Sequence, residues 1–301
     1  MKLSVILIAY DMAREIPRTL QGLARSYQHG AAELDYEVLL VDNGSPEPLQ
    51  ASSLAHIDVP LQLIRIDDAH PSPAAAINLA ARRASGDILC LMIDGAHLLT
   101  PGVFALMLTA FRAFDQPVVG TRYFFMGPDE QNASIAAGYD KTEEDRLLQV
   151  INWPEAGYRL FEVGAPLRAG PDVTSWINKM FESNCLFMHR ALFDSIGGAD
   201  ERFDLPGGGF VNLDLYKRAC DAPGVVPVQL IGEGSFHQLH GGTTTNVPME
   251  ERRAQTEAYR QQYVAIRGSA ELMTTKDVHY LGHQPTLASK IARKTYPMPL
   301  P

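Results

Sequence analysis

The sequence predicts an α/β fold, a mostly parallel sheet flanked by helices, and three observations predict it. Short apolar runs alternate with helix-period stretches through the first 125 residues. Residues 88–93 (ILCLMI) are apolar at consecutive positions, as a strand covered on both faces must be. Strands and helices in this alternating order favour parallel pairing, with helices on both faces of the sheet.

Residues 4–9 (SVILIA) supply the first strand. Ile16, Leu20, Leu23 and Tyr27 follow at helical spacing, with Pro17 tolerated in a first turn. Residues 36–41 (YEVLLV) form the second strand, closed by the turn residues Asp42-Asn43-Gly44-Ser45. Residues 61–66 are a third strand. Residues 73–85 are alanine-rich and helix-prone, with Ala76, Ile77, Ala80 and Ala84 on one face and Gly86 at the end. After the strand at 88–93, Thr100 caps a helix that has Pro101 at its first position and runs to about Phe114. Residues 118–125 are a further strand. The second half reads as a helix at 141–151, a strand at 183–189, and a short helix at 190–196 stopped by Gly197-Gly198. A helix at 211–219, a strand at 225–231, a Gly/Thr loop at 236–246 and a charged helix at 250–267 follow. Residues 268–301 have no strong period, and no internal repeat is evident.

Composition narrows the functional classes. At 301 residues the chain has room for about two domains or one large one. With 46% hydrophobic and 20% charged residues it can bury a core, so disorder is excluded as the main state. Lys and Arg number 26 against 35 Asp and Glu, a formal charge of −9 that argues against a nucleic-acid partner. Cys90, Cys185 and Cys220 are odd in number and widely spaced, neither a disulfide framework nor a zinc pair, which fits a reducing, cytoplasmic setting. No apolar stretch approaches the ~18 residues of a membrane span. The opening apolar run meets Tyr10, Asp11, Arg14 and Glu15 too early for a signal peptide.

On sheets of this kind ligands bind at the carboxyl ends of the strands. Those ends read Ala9-Tyr10-Asp11, Asp42-Asn43-Gly44 and Asp94-Gly95-Ala96-His97. Turns favour Asp and Asn on their own account, but carboxylates at three neighbouring strand ends point to one shared site.

These segments also resemble a known family. SVILIAYDMAREIPRTLQGL, YEVLLVDNGSPE, AAAINLAARRASGDILCLMIDGAHLLTPG and NCLFMHRALFDSIGGADERFD, in that order, are similar to the motif series of family 2 glycosyltransferases. They cover most of residues 3–125 and 181–220. The resemblance implies the GT-A fold, with a Rossmann-like sheet, an acceptor-side subregion and a C-terminal extension. Residues 1–125 would form the nucleotide-sugar-binding half, 126–247 an acceptor-side half with a metal and diphosphate loop, and 248–301 a C-terminal helix and tail. It implies inverting transfer of a sugar from a nucleoside-diphosphate sugar, UDP foremost, to the hydroxyl of a glycan, lipid-linked or small-molecule acceptor. It also implies a divalent metal, Mn²⁺ or Mg²⁺.

Carried over residue by residue, the resemblance places Asp42 on the nucleobase, where a carboxylate accepts an N–H. Ala9 and Tyr10 match base contacts, Asp11 either assists them or caps the helix, and Asn78 faces the nucleotide. Asp94 matches the first acid of the family's Asp-x-Asp metal motif, and Ala96 replaces the second. His97 either adds a nitrogen ligand, which favours Mn²⁺, or starts an exposed loop. A late histidine joins the metal in a number of GT-A enzymes, and His237 and His240 are both candidates. The Gly241-Gly242 pair and the three threonines after it suit either a loop that closes backbone N–H groups over a diphosphate or a flexible surface loop with two solvated histidines.

The family's catalytic base falls on Asn212, whose amide cannot accept that proton. Asp214 is then the first candidate base, with a helix-start acid as its alternative reading, and Glu182 the second. These departures keep open a sugar-nucleotide-binding protein or partner subunit without turnover. A nucleotidyltransferase ranks third, because residues 1–20 contain no glycine for a triphosphate loop. Trp153, Tyr158 and Trp176 are either a sugar-stacking platform or core aromatics. Lys290, Arg293 and Lys294 either meet an anionic membrane surface or lie in a tail packed on a second subunit of a homo-oligomer.

Overall fold

The computed structural model describes residues 1–167 and 176–283. Among these, ten strands make one sheet: β1 (Leu3–Ala9), β2 (Tyr36–Asn43), β3 (Leu61–Ile66), β4 (Ile88–Met92), β5 (His97–Leu99), β6 (Pro117–Met126), β7 (Gly164–Pro166), β8 (Leu186–His189), β9 (Val226–His237) and β10 (His279–Gly282). The order is β10-β9-β6-β8-β4-β1-β2-β3, with β5 paired to β9 and β7 to β6. β1 pairs in parallel with β2 and β4, β2 with β3, and β9 with β6 and β10. β8 lies antiparallel between β4 and β6. Its two reversals cancel, so the carboxyl ends of β1, β2, β4 and β9 share one rim of the sheet.

Alternation along the strands divides the core. All seven residues of β1 are buried. Val5 and Leu7 face one layer, with Ile16 and Leu20 of the helix Ile16–Gln21 and Phe104 and Met107 of the helix Val103–Ala113. Ile6 and Ile8 face the other, with Ala76, Ile77 and Ala80 of the helix Ala74–Arg83 and Leu215 of the helix Val211–Asp221. Each buried Leu or Ile contributes about 1.5–3 kcal/mol, which is why an apolar run with no polar alternation becomes a central strand. A third cluster joins Leu98, Phe124, Phe161 and Phe236, and Trp153, Tyr158 and Trp176 pack against it. These aromatics support the core: Trp176 lies 5.8 Å from Phe124, and the Tyr158 hydroxyl donates to Glu233 at 2.7 Å.

Two expectations on the chain's organisation change. The first helix stops at Gln21 and Tyr27 lies in turns beyond it. The strand expected at 225–231 continues to His237, so the loop begins at Gln238. Two glycines, Gly232 and Gly234, disguise that continuation, while pairing with both β6 and β5 sustains it. Strands from residues 1–125 and from residues 126–283 lie in one sheet. No helix among the described residues is long and apolar enough to cross a membrane. Lys290, Arg293 and Lys294 lie outside the described residues.

Candidate metal and nucleotide site

Asp94 follows β4 at the shared rim. Its backbone is clamped on both sides by Asn184: Asp94 N donates to Asn184 Oδ1 at 2.9 Å, and Asn184 Nδ2 donates to the Asp94 carbonyl at 2.6 Å. Asp94 Oδ1 accepts the N–H of Ala96 at 2.9 Å, which turns Oδ2 outward. Asn184 was not among the expected site residues. Its only trace in the sequence is an amide just before an apolar strand.

The last residue of β9 is His237, and His240 stands three residues on. The sequence leaves open which histidine faces Asp94, and both do. His237 Nε2 lies 3.0 Å and His240 Nε2 3.1 Å from Asp94 Oδ2, with 2.9 Å between the two nitrogens. Among the described residues this is the one group of three or more acids, histidines or cysteines placed closely enough to hold a metal ion.

Hydrogen bonds alone satisfy this triangle poorly. If each neutral imidazole donates from Nε2 to Asp94, two N–H groups face one another across 2.9 Å. A cation in front of the triangle removes the conflict. Cis ligands of an octahedral ion about 2.1 Å away stand roughly 3.0 Å apart, whereas a tetrahedral ion spreads them to roughly 3.4 Å. The observed edges match one face of an octahedron. Two imidazoles and one carboxylate also form a known transition-metal donor set with open positions. The Asp94 side chain is 32% exposed, against 1% for His237 and 7% for His240, so those positions open beside the carboxylate.

The electrostatics agree with the geometry. Burial works against the Asp94 carboxylate, yet the two imidazoles hold its pKa well below the usual range. Burial pushes His237 down, against the pull of Asp94, and so favours its neutral, ligating form. His240 is also buried, but Asp94 outweighs that and raises it. His97 stands outside the triangle. It is fully buried, pairs with His237 across β5 and β9, and rests edge-on against Tyr123 at 4.8 Å. The exposed loop residue of its alternative reading is likewise excluded by that burial.

The nucleotide-side residues meet different fates. Tyr10 projects at the end of β1 with 55% of its surface exposed, and Ala9 is buried beside it. Asp11 has a φ of +53°, a conformation that costs a non-glycine residue energy, and its N–H is held by Ser45 Oγ at 2.9 Å. Asp42 is buried. It accepts the N–H groups of Ser45 and Leu49 at 3.0 Å each and pairs with Arg65 at 2.9 Å, so it builds the turn that holds Asp11. Asn78 turns its amide to Ala199 and Glu201 rather than to the rim, pinning the 199–201 turn on the Ala74–Arg83 helix.

The candidate bases also separate. Asp214 is buried with both oxygens taken, by Arg218 at 2.7 Å and by Arg267 at 2.6 and 2.9 Å. Buried at 1% exposure and held ionised between two guanidiniums, this carboxylate is neither reachable nor basic enough for an acceptor hydroxyl, and Asp214 is corrected from base to ion-pair centre. Glu182 is half-buried and accepts from Asn212 Nδ2 at 2.5 Å. Burial pushes its pKa up to about 7, against the opposing hydrogen bond of Asn212. Asn212 thus holds a carboxylate at the place where the family resemblance puts the acid itself. Two residues after Glu182 comes the Asn184 clamp, and Tyr123 feels the charges of both Asp94 and Glu182. The Gly/Thr loop is tied down by Asn132, whose amide donates to the carbonyls of Thr244 and Val247 at 3.0 and 2.7 Å.

Against known proteins, the model of Glycosyl transferase family 2 matches residues 4–165, more than half of the chain. The O-antigen biosynthesis protein RfbC of Myxococcus xanthus is 26% identical over 210 residues, which are 69% of this chain and 15% of that protein. The chain thus spans a small part of that relative's length. In three dimensions, S. aureus TarS 1-349 in complex with UDP-GlcNAc superposes with a TM-score of 0.53 at 15% identity, covering 88% of this chain and 67% of that one. GalNAc-T7 with UDP, GalNAc and Mn²⁺ gives 0.51 at 13% identity, covering 98% and 54%. At these identities the likeness shows a shared fold.

Proposed function

The chain belongs to glycosyl transferase family 2 and has the GT-A fold, and from that premise we propose that it transfers a sugar, with inversion, from a nucleoside-diphosphate donor to an acceptor hydroxyl. The observation that carries this reading is the triangle of Asp94, His237 and His240 at the sheet rim. These three would hold a divalent cation. Two imidazoles in the set favour Mn²⁺ over Mg²⁺. Such a cation, when bound, neutralises the charge that develops on the departing diphosphate.

The protein's own groups supply the rest. Tyr10 offers an exposed ring for the nucleobase, beside the prebuilt Asp42–Ser45–Asp11 turn. UDP is the nucleotide we favour, as the one bound in both related structures. Backbone N–H groups of the 241–245 loop would close over the diphosphate. Glu182 takes the proton of the acceptor hydroxyl as that oxygen attacks the anomeric carbon, and a base with a pKa near the working pH suits the task. A glycan acceptor agrees with the O-antigen role in the name of RfbC.

Calorimetry with UDP, with and without Mn²⁺, tests the binding step. Binding that needs Mn²⁺, with slow hydrolysis of a UDP-sugar on long incubation, is expected. Binding without any hydrolysis or transfer would favour the partner-subunit reading. No metal-dependent binding of any nucleoside diphosphate would overturn the proposal.

A further inference from the structure

The segment that carries His240 is held from outside the sheet by a buried acid. Glu144 lies on the helix Lys141–Val150, in the acceptor-side region where the sequence offered no recognisable motif, and its side chain is fully buried. Glu144 Oε2 accepts the N–H of Leu239, the residue before His240, at 2.7 Å and the hydroxyl of Tyr139 at 3.3 Å. Its Oε1 accepts from Arg14 at 3.1 Å. Arg14 reaches on to the Leu239 carbonyl at 3.4 Å and to Asp145 at 2.5 Å. Gln238 N donates to the Ala96 carbonyl at 2.7 Å, and the Gln238 amide donates to Thr19 Oγ1 at 3.2 Å. Both residues between His237 and His240 are therefore tied down.

Stability alone gives a poor reason for this acid. A buried ion pair commonly adds no more than an apolar pair of the same volume. A leucine at 144 would fill the space but leave the Leu239 N–H buried and unpaired, and that loss costs about 1–3 kcal/mol. A carboxylate provides an acceptor at one fixed point. The backbone that meets it sets the direction in which the next side chain leaves.

We propose that Glu144 is a positioning residue for the cation site. Through Leu239 it aims the His240 imidazole at Asp94 and His237, and the Lys141–Val150 helix acts as a strut for the metal loop. This rests on the metal reading above.

The test is Mn²⁺ affinity, read from the EPR signal of free Mn²⁺ on the full chain. Glu144→Ala is expected to weaken binding about tenfold to a hundredfold, the usual effect of removing a support of a metal ligand. Glu144→Gln keeps an acceptor oxygen and recovers most of the affinity. Glu143→Gln, an exposed neighbour paired with Arg146, changes nothing. Saturating Mn²⁺ restores kcat in Glu144→Ala while the metal requirement stays raised. A merely structural role would lower the thermal midpoint and leave the affinity of the folded protein intact. If Glu144→Ala does not fold, Arg14→Ala, at a partly exposed site, carries the test and is expected to weaken Mn²⁺ several-fold. Wild-type affinity in the folded variants overturns the inference. A wild-type chain that binds no Mn²⁺, or one whose Asp94→Ala variant binds it equally well, overturns the metal reading instead.

Discussion

Glu182 and Asp214 are both acids on the same side of the chain's middle, and the fold gives them opposite surroundings. Two guanidiniums engage both oxygens of buried Asp214, while one amide and partial burial leave Glu182 with an available oxygen and push its pKa up to about 7. The active form of a base is deprotonated, so kcat/KM is predicted to rise as pH passes upward through about 7 and then level off. Asn212→Leu removes a bond that favours the carboxylate, and should move that rise to higher pH. Glu182→Gln should lower kcat by about 10²–10⁴ with Mn²⁺ and UDP binding intact. A flat pH profile across neutrality, or an active Glu182→Gln protein, would exclude Glu182 as the base. Asp214→Asn should cost stability instead, about 2–3 kcal/mol, below the value for a fully buried pair because both guanidiniums are partly exposed. Denaturant unfolding measures it. Residue identity made both acids candidates; their partners, set by Arg218, Arg267 and Asn212, could not be read from the sequence.

Strand ends place the functional groups, and the elements differed in how plainly they could be read. β1, β2 and β4 are continuous apolar runs stopped by turn residues, and the Ala74–Arg83 helix shows its apolar face at helical spacing. β5 has three residues and pairs with the distant β9, so no local pattern announces it. The polar, glycine-bearing end of β9 reads as loop for the same reason: its partners are residues 97–99 and 122–125, far away in sequence. Between β4 and β5, Gly95 packs so closely on β1 that an added Cβ would lie 2.5 Å from the Ile8 carbonyl oxygen. Gly95→Ala is therefore predicted to cost about 1–3 kcal/mol and to weaken Mn²⁺ binding by displacing Asp94. Thermal unfolding and Mn²⁺ titration of the one variant check both effects, and wild-type values in each would show that the turn yields without strain.

Over the whole molecule, one sheet brings together a rim from chain segments that the sequence keeps far apart. Asp94 and His237 are 143 positions from one another, and the family match ends at residue 165, before either histidine of the triangle. Order and composition made residues 3–125 and their strand ends legible. The closing of the late histidines on Asp94 depends on β9 lying beside β6 and on the Glu144 strut, and neither has a local signature. Asp94→Ala should abolish metal-dependent nucleotide binding, and separate His237→Ala and His240→Ala variants should each weaken it, since each removes one donor. The central claim is that these three side chains grip a single cation at the rim. Anomalous diffraction from crystals soaked in Mn²⁺ and UDP tests it most directly. One manganese peak bonded to Asp94 Oδ2, His237 Nε2 and His240 Nε2, with diphosphate oxygens on the open side, is the predicted result. A well-ordered UDP with no manganese at that triangle would contradict it.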